Sequence, residues 1–177
     1  MNNFKTVGNN MGVRRYGMPL IGIVAKKKDI HIIKNELKGS NVEIIEITKQ
    51  CVKNLKNITF EEVIFLEDIS LNTDEYKYMN EIISKAKYII FNSDIKMKIF
   101  KQIEIQKPVK FITFGFNSKS TITISSIKEE KVIVCIQRNI EKINGKILEI
   151  QEKEILSKNT RKIYNYLVVF IIKELHN

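Results

Sequence analysis

Tryptophan is absent from this 177-residue chain, and cysteine, proline, histidine and alanine occur only twice each. Cys51 and Cys135 lack CxxC spacing, which excludes a disulfide framework and a thiolate zinc site. A chain of this length buries about 70 % of its unfolded surface without such staples. Histidine is confined to His31 and His176, leaving a histidine-based triad or zinc centre almost no material. His31 reads as a partly exposed helix residue and His176 as part of a fraying terminus. Arginine is scarce as well: only Arg14, Arg15, Arg138 and Arg161 stand beside 26 lysines in a net charge of +10. Nucleic-acid readers lean on arginine and on aromatics interleaved with basic residues. These lysines are spread along the chain, and with 33 isoleucines and 17 asparagines they read as the skew of an AT-rich coding sequence.

Long apolar runs are missing too. The longest, Tyr166 to Ile172, is far short of the roughly 18 residues that a membrane span needs. The first 19 residues carry no apolar core or small-residue cleavage site of a secretory signal. The sequence therefore predicts a cytoplasmic protein with no membrane span, its two thiols reduced and buried in apolar segments.

What is present alternates strand and helix. Leu20 to Ala25 reads as a buried strand, and a helix carrying Ile30, Ile33 and Leu37 comes next, with Gly39 as its stop. Val42 to Ile47 is the next strand, then a short helix with Cys51, Val52 and Leu55, then the strand Glu62 to Leu66. Asn72 or Thr73 can cap a helix whose face is Tyr76, Met79, Ile82, Ile83 and Ala86, and Lys87 to Phe91 is a fourth strand. A short helix over Ile95 to Ile103 leads to a fifth strand, Val109 to Phe114. This alternation predicts an α/β domain with an open, mainly parallel sheet covered on both faces. From residue 116 the pattern changes to strands over Thr121 to Ile127, Lys131 to Ile143 and Lys146 to Ile155. Asn144-Gly145 marks a two-residue hairpin, so an antiparallel β-meander is expected at 116–156. A final apolar helix fills 159–176, wide enough in its stripe either to lie in a deep groove of its own domain or to mate with a second copy or another protein. Residues 1–18 read as a flexible polar N-terminus, 19–177 as one domain, and 19–115 as its parallel part.

The turn after the first strand is where parallel α/β proteins place phosphates. Here it reads Ala25-Lys26-Lys27-Lys28-Asp29, without the glycines that let successive N–H groups face a ligand. Three lysines at a helix start can attract an anion, although a solvated charge run accounts for them as well.

The order of segments resembles the central ATPase domain of the Mur ligases, the amide-bond ligases of cell-wall precursor synthesis. Pro19-Leu20-Ile21-Gly22-Ile23 resembles the strand entering that family's P-loop, where G-T-x-G-K-T/S is replaced by Val24-Ala25-Lys26-Lys27-Lys28-Asp29-Ile30. Ile45-Glu46-Ile47-Thr48 resembles the strand whose glutamate holds magnesium, which makes Glu46 the metal ligand implied by the resemblance. Val63 to Ser70 stands where the family has an Asp-His pair, which is missing. Glu75-Tyr76-Lys77-Tyr78-Met79-Asn80 resembles the segment bearing the family's carbamylated lysine, with Asn80 in its place. Asn92-Ser93-Asp94 resembles the turn beside the nucleotide, and Phe111 to Gly115 the strand that opens the antiparallel extension.

The resemblance implies a degenerate, stand-alone domain whose phosphate-binding parts are gone. The expected role is a non-catalytic binding, regulatory or scaffold module, tied through the resemblance to cell-wall precursor metabolism. Lys26, Lys27, Lys28, Asn92 and Asp94 would line its anion- or nucleotide-like cleft. No cofactor is expected on this reading, and ATP with magnesium belongs only to the alternative. That alternative is a ligase remnant or partner subunit with altered chemistry, using Glu46 and Asp94 as carboxylates. A basic nucleic-acid-binding protein ranks third. The expected partner is another protein, or a second copy engaged through the last helix.

Overall fold

A computed structural model of the chain describes residues 17–105, 108–157 and 159–177. The expected flexible N-terminus lies, up to residue 16, outside the described residues. The protein is α/β. Strands β1 (Leu20–Val24), β2 (Glu43–Glu46), β3 (Glu62–Phe65), β4 (Tyr88–Asn92) and β5 (Lys110–Gly115) alternate with helices α1 (Lys27–Glu36), α2 (Val52–Leu55) and α3 (Thr73–Lys85). Strands β6 (Ile122–Lys128), β7 (Lys131–Ile136), β8 (Ile140–Glu141), β9 (Ile147–Leu148) and β10 (Gln151–Leu156) come after them, then helix α4 (Ile163–His176).

The main sheet has eight strands in the order β10-β7-β6-β5-β4-β3-β1-β2. Its parallel part, β2-β1-β3-β4-β5, has the flavodoxin-like doubly wound order, with the topological switch between β1 and β3. Apolar residues alternate between its faces because the side-chain period of a strand is two. On one face Ile21, Ile23, Ile64, Ile90 and Ile112 pack under α1 and α4, while on the other Val24, Val63, Phe65 and Ile89 pack under α2 and α3. Gly22 faces the second layer, where a Cβ would stand 2.5 Å from Ile47 Cδ1 and 3.2 Å from Phe60. The missing side chain is what lets those two close over the strand. Helix α3 starts on a capping box: Glu75 N donates to Asn72 Oδ1 at 3.0 Å and Asn72 N donates to Glu75 Oε2 at 2.7 Å.

Several expectations need correction. The helix over Ile95 to Ile103 shrinks to a 3-10 turn at Ile99–Lys101, so among the described residues no helix covers β5 on that face, and Phe111 is 46 % exposed. The strand expected from Lys131 to Ile143 breaks after Ile136. Beyond that point the chain leaves the sheet as the β8–β9 hairpin, in which Ile140 and Leu148 are buried against the α4 layer and Ile143 N donates to Leu175 O. The turn at Asn144-Gly145 is there, with Gly145 at φ +82°, but Lys142 N donates to Lys146 O, so three residues form the loop rather than two. The antiparallel part of the main sheet is thus the meander β6-β7-β10 interrupted by the β8–β9 hairpin, and it joins the parallel part where β5 pairs with β6 in parallel. A parallel pair normally needs a long crossover. Here the overlap is only Phe114 with Ile122 and Gly115 with Thr123, so β6 begins where β5 ends and no return is needed. Finally, both cysteines are half-buried rather than core residues, and Cys51 Sγ accepts from Thr48 N at 3.1 Å.

The last helix lies in its own domain. Ile163, Tyr166 to Ile172 and Leu175 are all buried against the sheet and α1, so the wide apolar stripe is covered by this chain itself. Among the described residues no helix is long and apolar enough to cross a membrane.

Candidate functional site

In an open α/β sheet, ligands gather outside the carboxyl ends of the strands at the switch point. A cleft of about 220 Å³ lies there, lined by Lys26 after β1, Leu66 and Glu67 after β3, Asn92 at the end of β4, and residues of α4 and of the 3-10 turn Thr160–Lys162 that leads into it. That last group is Arg161, Lys162, Tyr164 and Asn165. The anchor is Asp29 in the first turn of α1. Lys162 Nζ donates to its Oδ1 at 2.7 Å and Asn165 Nδ2 donates to the same oxygen at 3.0 Å. Burial pushes the Asp29 carboxyl upward, but those two bonds and the charges of Lys162 and Lys28 outweigh it and hold the group below its ordinary value. The start of α4 is thus tied to the start of α1, across 133 residues of sequence.

The expected site residues divide. Lys26 and Asn92 line the cleft, whereas Lys27 and Lys28 are exposed on α1 and do not. Asp94 instead holds the backbone beyond β5: its Oδ2 accepts from Phe116 N at 2.6 Å and from Tyr164 Oη at 3.0 Å, and its Oδ1 accepts from Asn117 N at 3.1 Å. Burial and the neighbouring Asp94 carboxylate push the Tyr164 hydroxyl up to about 12. Glu46 ends β2, and three strand spacings in the order β4-β3-β1-β2 separate it from β4. At ~4.8 Å per spacing the two strands are about 14 Å apart, which does not suit Glu46 and Asp94 to act as a carboxylate pair. Among the described residues no group of three or more histidine, cysteine, aspartate or glutamate side chains comes together to hold a metal ion. The β1–α1 turn carries lysines where a phosphate cradle has glycines.

Sequence reasoning missed Asp29 and the residues of α4. One signal was available: Asn165 falls within the apolar stretch that opens α4, and a buried amide in such a stripe needs a partner.

Two other hollows among the described residues border elements already named. Phe91, Phe100, Ile103, Ile105 and Phe111 line an apolar one of about 290 Å³ over the uncovered face of β4 and β5. The other, about 480 Å³, lies at the amino ends of the strands and is bordered by Glu61, Lys87, Ile172 and His176. Beside it, His176 does not fray: its Nε2 lies 2.8 Å from Oε1 of Glu62, which is 0 % exposed. Burial pushes the Glu62 carboxyl up, and the bond and charge of His176 only partly offset that.

No protein-family model matches the chain, and no curated protein matches it.

Proposed function

We propose that this protein is a non-catalytic, Mur-ligase-like binding module acting through the cleft outside β1 and β3. The observation that carries the reading is the Asp29 tie to Lys162 and Asn165. It sets the chain's own last helix against the helix start that would otherwise face a triphosphate. The remaining space, about 220 Å³, is below the ~300–1,000 Å³ of pockets that enclose drug-sized ligands. Transfer of a phosphoryl group further needs donors arranged around the developing charge. The lysine turn lacks the glycine backbone for such an arrangement, and the Glu46 and Asp94 strands stand too far apart to share a magnesium ion. A link to cell-wall precursor metabolism and a protein partner follow from the resemblance alone and belong to the same proposal.

Calorimetric titration with ATP and magnesium tests it. The expected result is no measurable heat and no hydrolysis. Micromolar, magnesium-dependent ATP affinity overturns the reading.

A further inference from the structure

We infer that the cleft outside β1 and β3 binds a small oxyanion, a phosphate or carboxylate group. This rests on the reading of that cleft as the module's binding surface. The leading observation is Asn92, a fully buried residue in the cleft wall. Its Oδ1 accepts from Asp94 N at 3.0 Å, but its Nδ2 has no acceptor among the described residues. Buried donors are nearly always satisfied, so an unmet amide in a cleft wall asks for an acceptor from outside. The second observation is charge. Lys26 and Arg161 line the same cleft and have no ion-pair partner among the described residues, while Lys162 is engaged by Asp29. Glu67 is the one opposing carboxylate without such a partner, leaving the cleft with a single excess positive charge.

Donors therefore outnumber acceptors around the opening, which suits an anion and not a cation. Arginine is well matched to such a ligand because its planar fork meets two oxygens at once. The start of α1, with Lys26 as its cap, adds a positive dipole end on the same side. A cleft of about 220 Å³ has room for a single oxyanion with its first waters.

Thermal unfolding of the full chain in rising inorganic phosphate tests the assignment, with sodium chloride matched for ionic strength and sodium acetate as a parallel arm. Phosphate or acetate should raise the Tm with saturation, beyond the chloride control, and the arm that does so identifies which oxyanion the cleft takes. Arg161→Ala should fold normally and weaken that binding tenfold or more, the usual effect of removing one charge-assisted hydrogen bond. Asn92→Asp, which keeps the acceptor and replaces the donor with a negative charge, should abolish it. Should that variant not fold, Arg161→Ala still decides. Equal Tm shifts in chloride, no shift in either anion, or undiminished binding by Arg161→Ala overturns the assignment. Those outcomes are independent of the ATP titration: tight ATP binding sinks the module reading, and silence towards both anions sinks only the oxyanion.

Discussion

Replacing His176 by alanine isolates what holds the last turn of α4. In the wild type its ring sits 2.8 Å from Glu62, which has no access to solvent and whose Oε2 has no hydrogen-bond partner among the described residues. Removing the ring leaves a buried carboxylate without compensation, which costs about 3–5 kcal/mol. Domains have only about 5–15 kcal/mol in total, so that is roughly a fifth or more of the stability. A frayed terminal residue would instead matter by no more than about 0.5 kcal/mol. Glu62→Gln in the His176→Ala background keeps the shape and removes the charge. An unsatisfied buried amide costs about 1–3 kcal/mol, so the double variant should regain about 2 kcal/mol at pH 8. The pH dependence has a definite sign. Burial raises the folded pKa of Glu62 above its ordinary 4.5, so its protonated form favours the fold. That contribution is present below the ordinary value and is lost as pH rises through the folded one. The single and double variants should therefore differ most at pH 8 and converge as pH falls. Urea unfolding at several pH values measures both effects. A His176→Ala variant within about 0.5 kcal/mol of the wild type at pH 8 would refute the claim that this pair holds the helix.

Two backbone positions give further checks. Gly115 has φ +154° and an added Cβ would stand 2.5 Å from Asp94 Oδ2, so Gly115→Ala should dislodge the carboxylate from Phe116 N and Asn117 N. A loss of about 2–4 kcal/mol in chemical denaturation is expected, and a neutral result would mean that Asp94 does not organise the 116–117 loop. Glu129 is the one described non-glycine residue with positive φ, 51°, in the β6–β7 turn. Glu129→Gly should stabilise the protein by about 1 kcal/mol in the same assay, and a loss would show that the left-handed conformation there carries no strain.

The parallel half of the fold was legible because each of its strands is an apolar run and each longer helix has a clear face. Asn72 even appears three residues before Glu75, the local signature of the capping box that starts α3. Legibility failed where a local pattern was overruled by a distant partner. Ile95, Ile99 and Ile103 have helical spacing, but the chain there anchors Ile99 N on Asp68 Oδ1 at 3.2 Å and completes only a 3-10 turn. Lys131 to Ile143 alternates well enough for one strand. Ile140 is nonetheless drawn out of the sheet, because the end of α4 needs cover and Tyr88 Oη donates to Glu141 O at 2.6 Å from across 53 residues.

The same distinction separates the site residues that could be read from those that could not. Lys26 and Asn92 lie at strand ends, so a rule about strand ends places them at the cleft without knowledge of any other segment. Arg161, Lys162 and Asn165 reach it from the far end of the chain. Their position depends on α4 packing beside α1, and that depends on Ile30, Ile33 and Leu37 meeting Leu167, Phe170 and Ile171 in one layer with the sheet. Amphipathic spacing says that each of these faces is buried, but not against which other face. Polar side chains at the ends of such helices therefore carry no readable address, and Asp29 is a clear case. In the sequence it is a favourable acidic residue in a first helical turn. In the fold it joins the start of α1 to Lys162 and Asn165 at the start of α4, and all three side chains line the cleft.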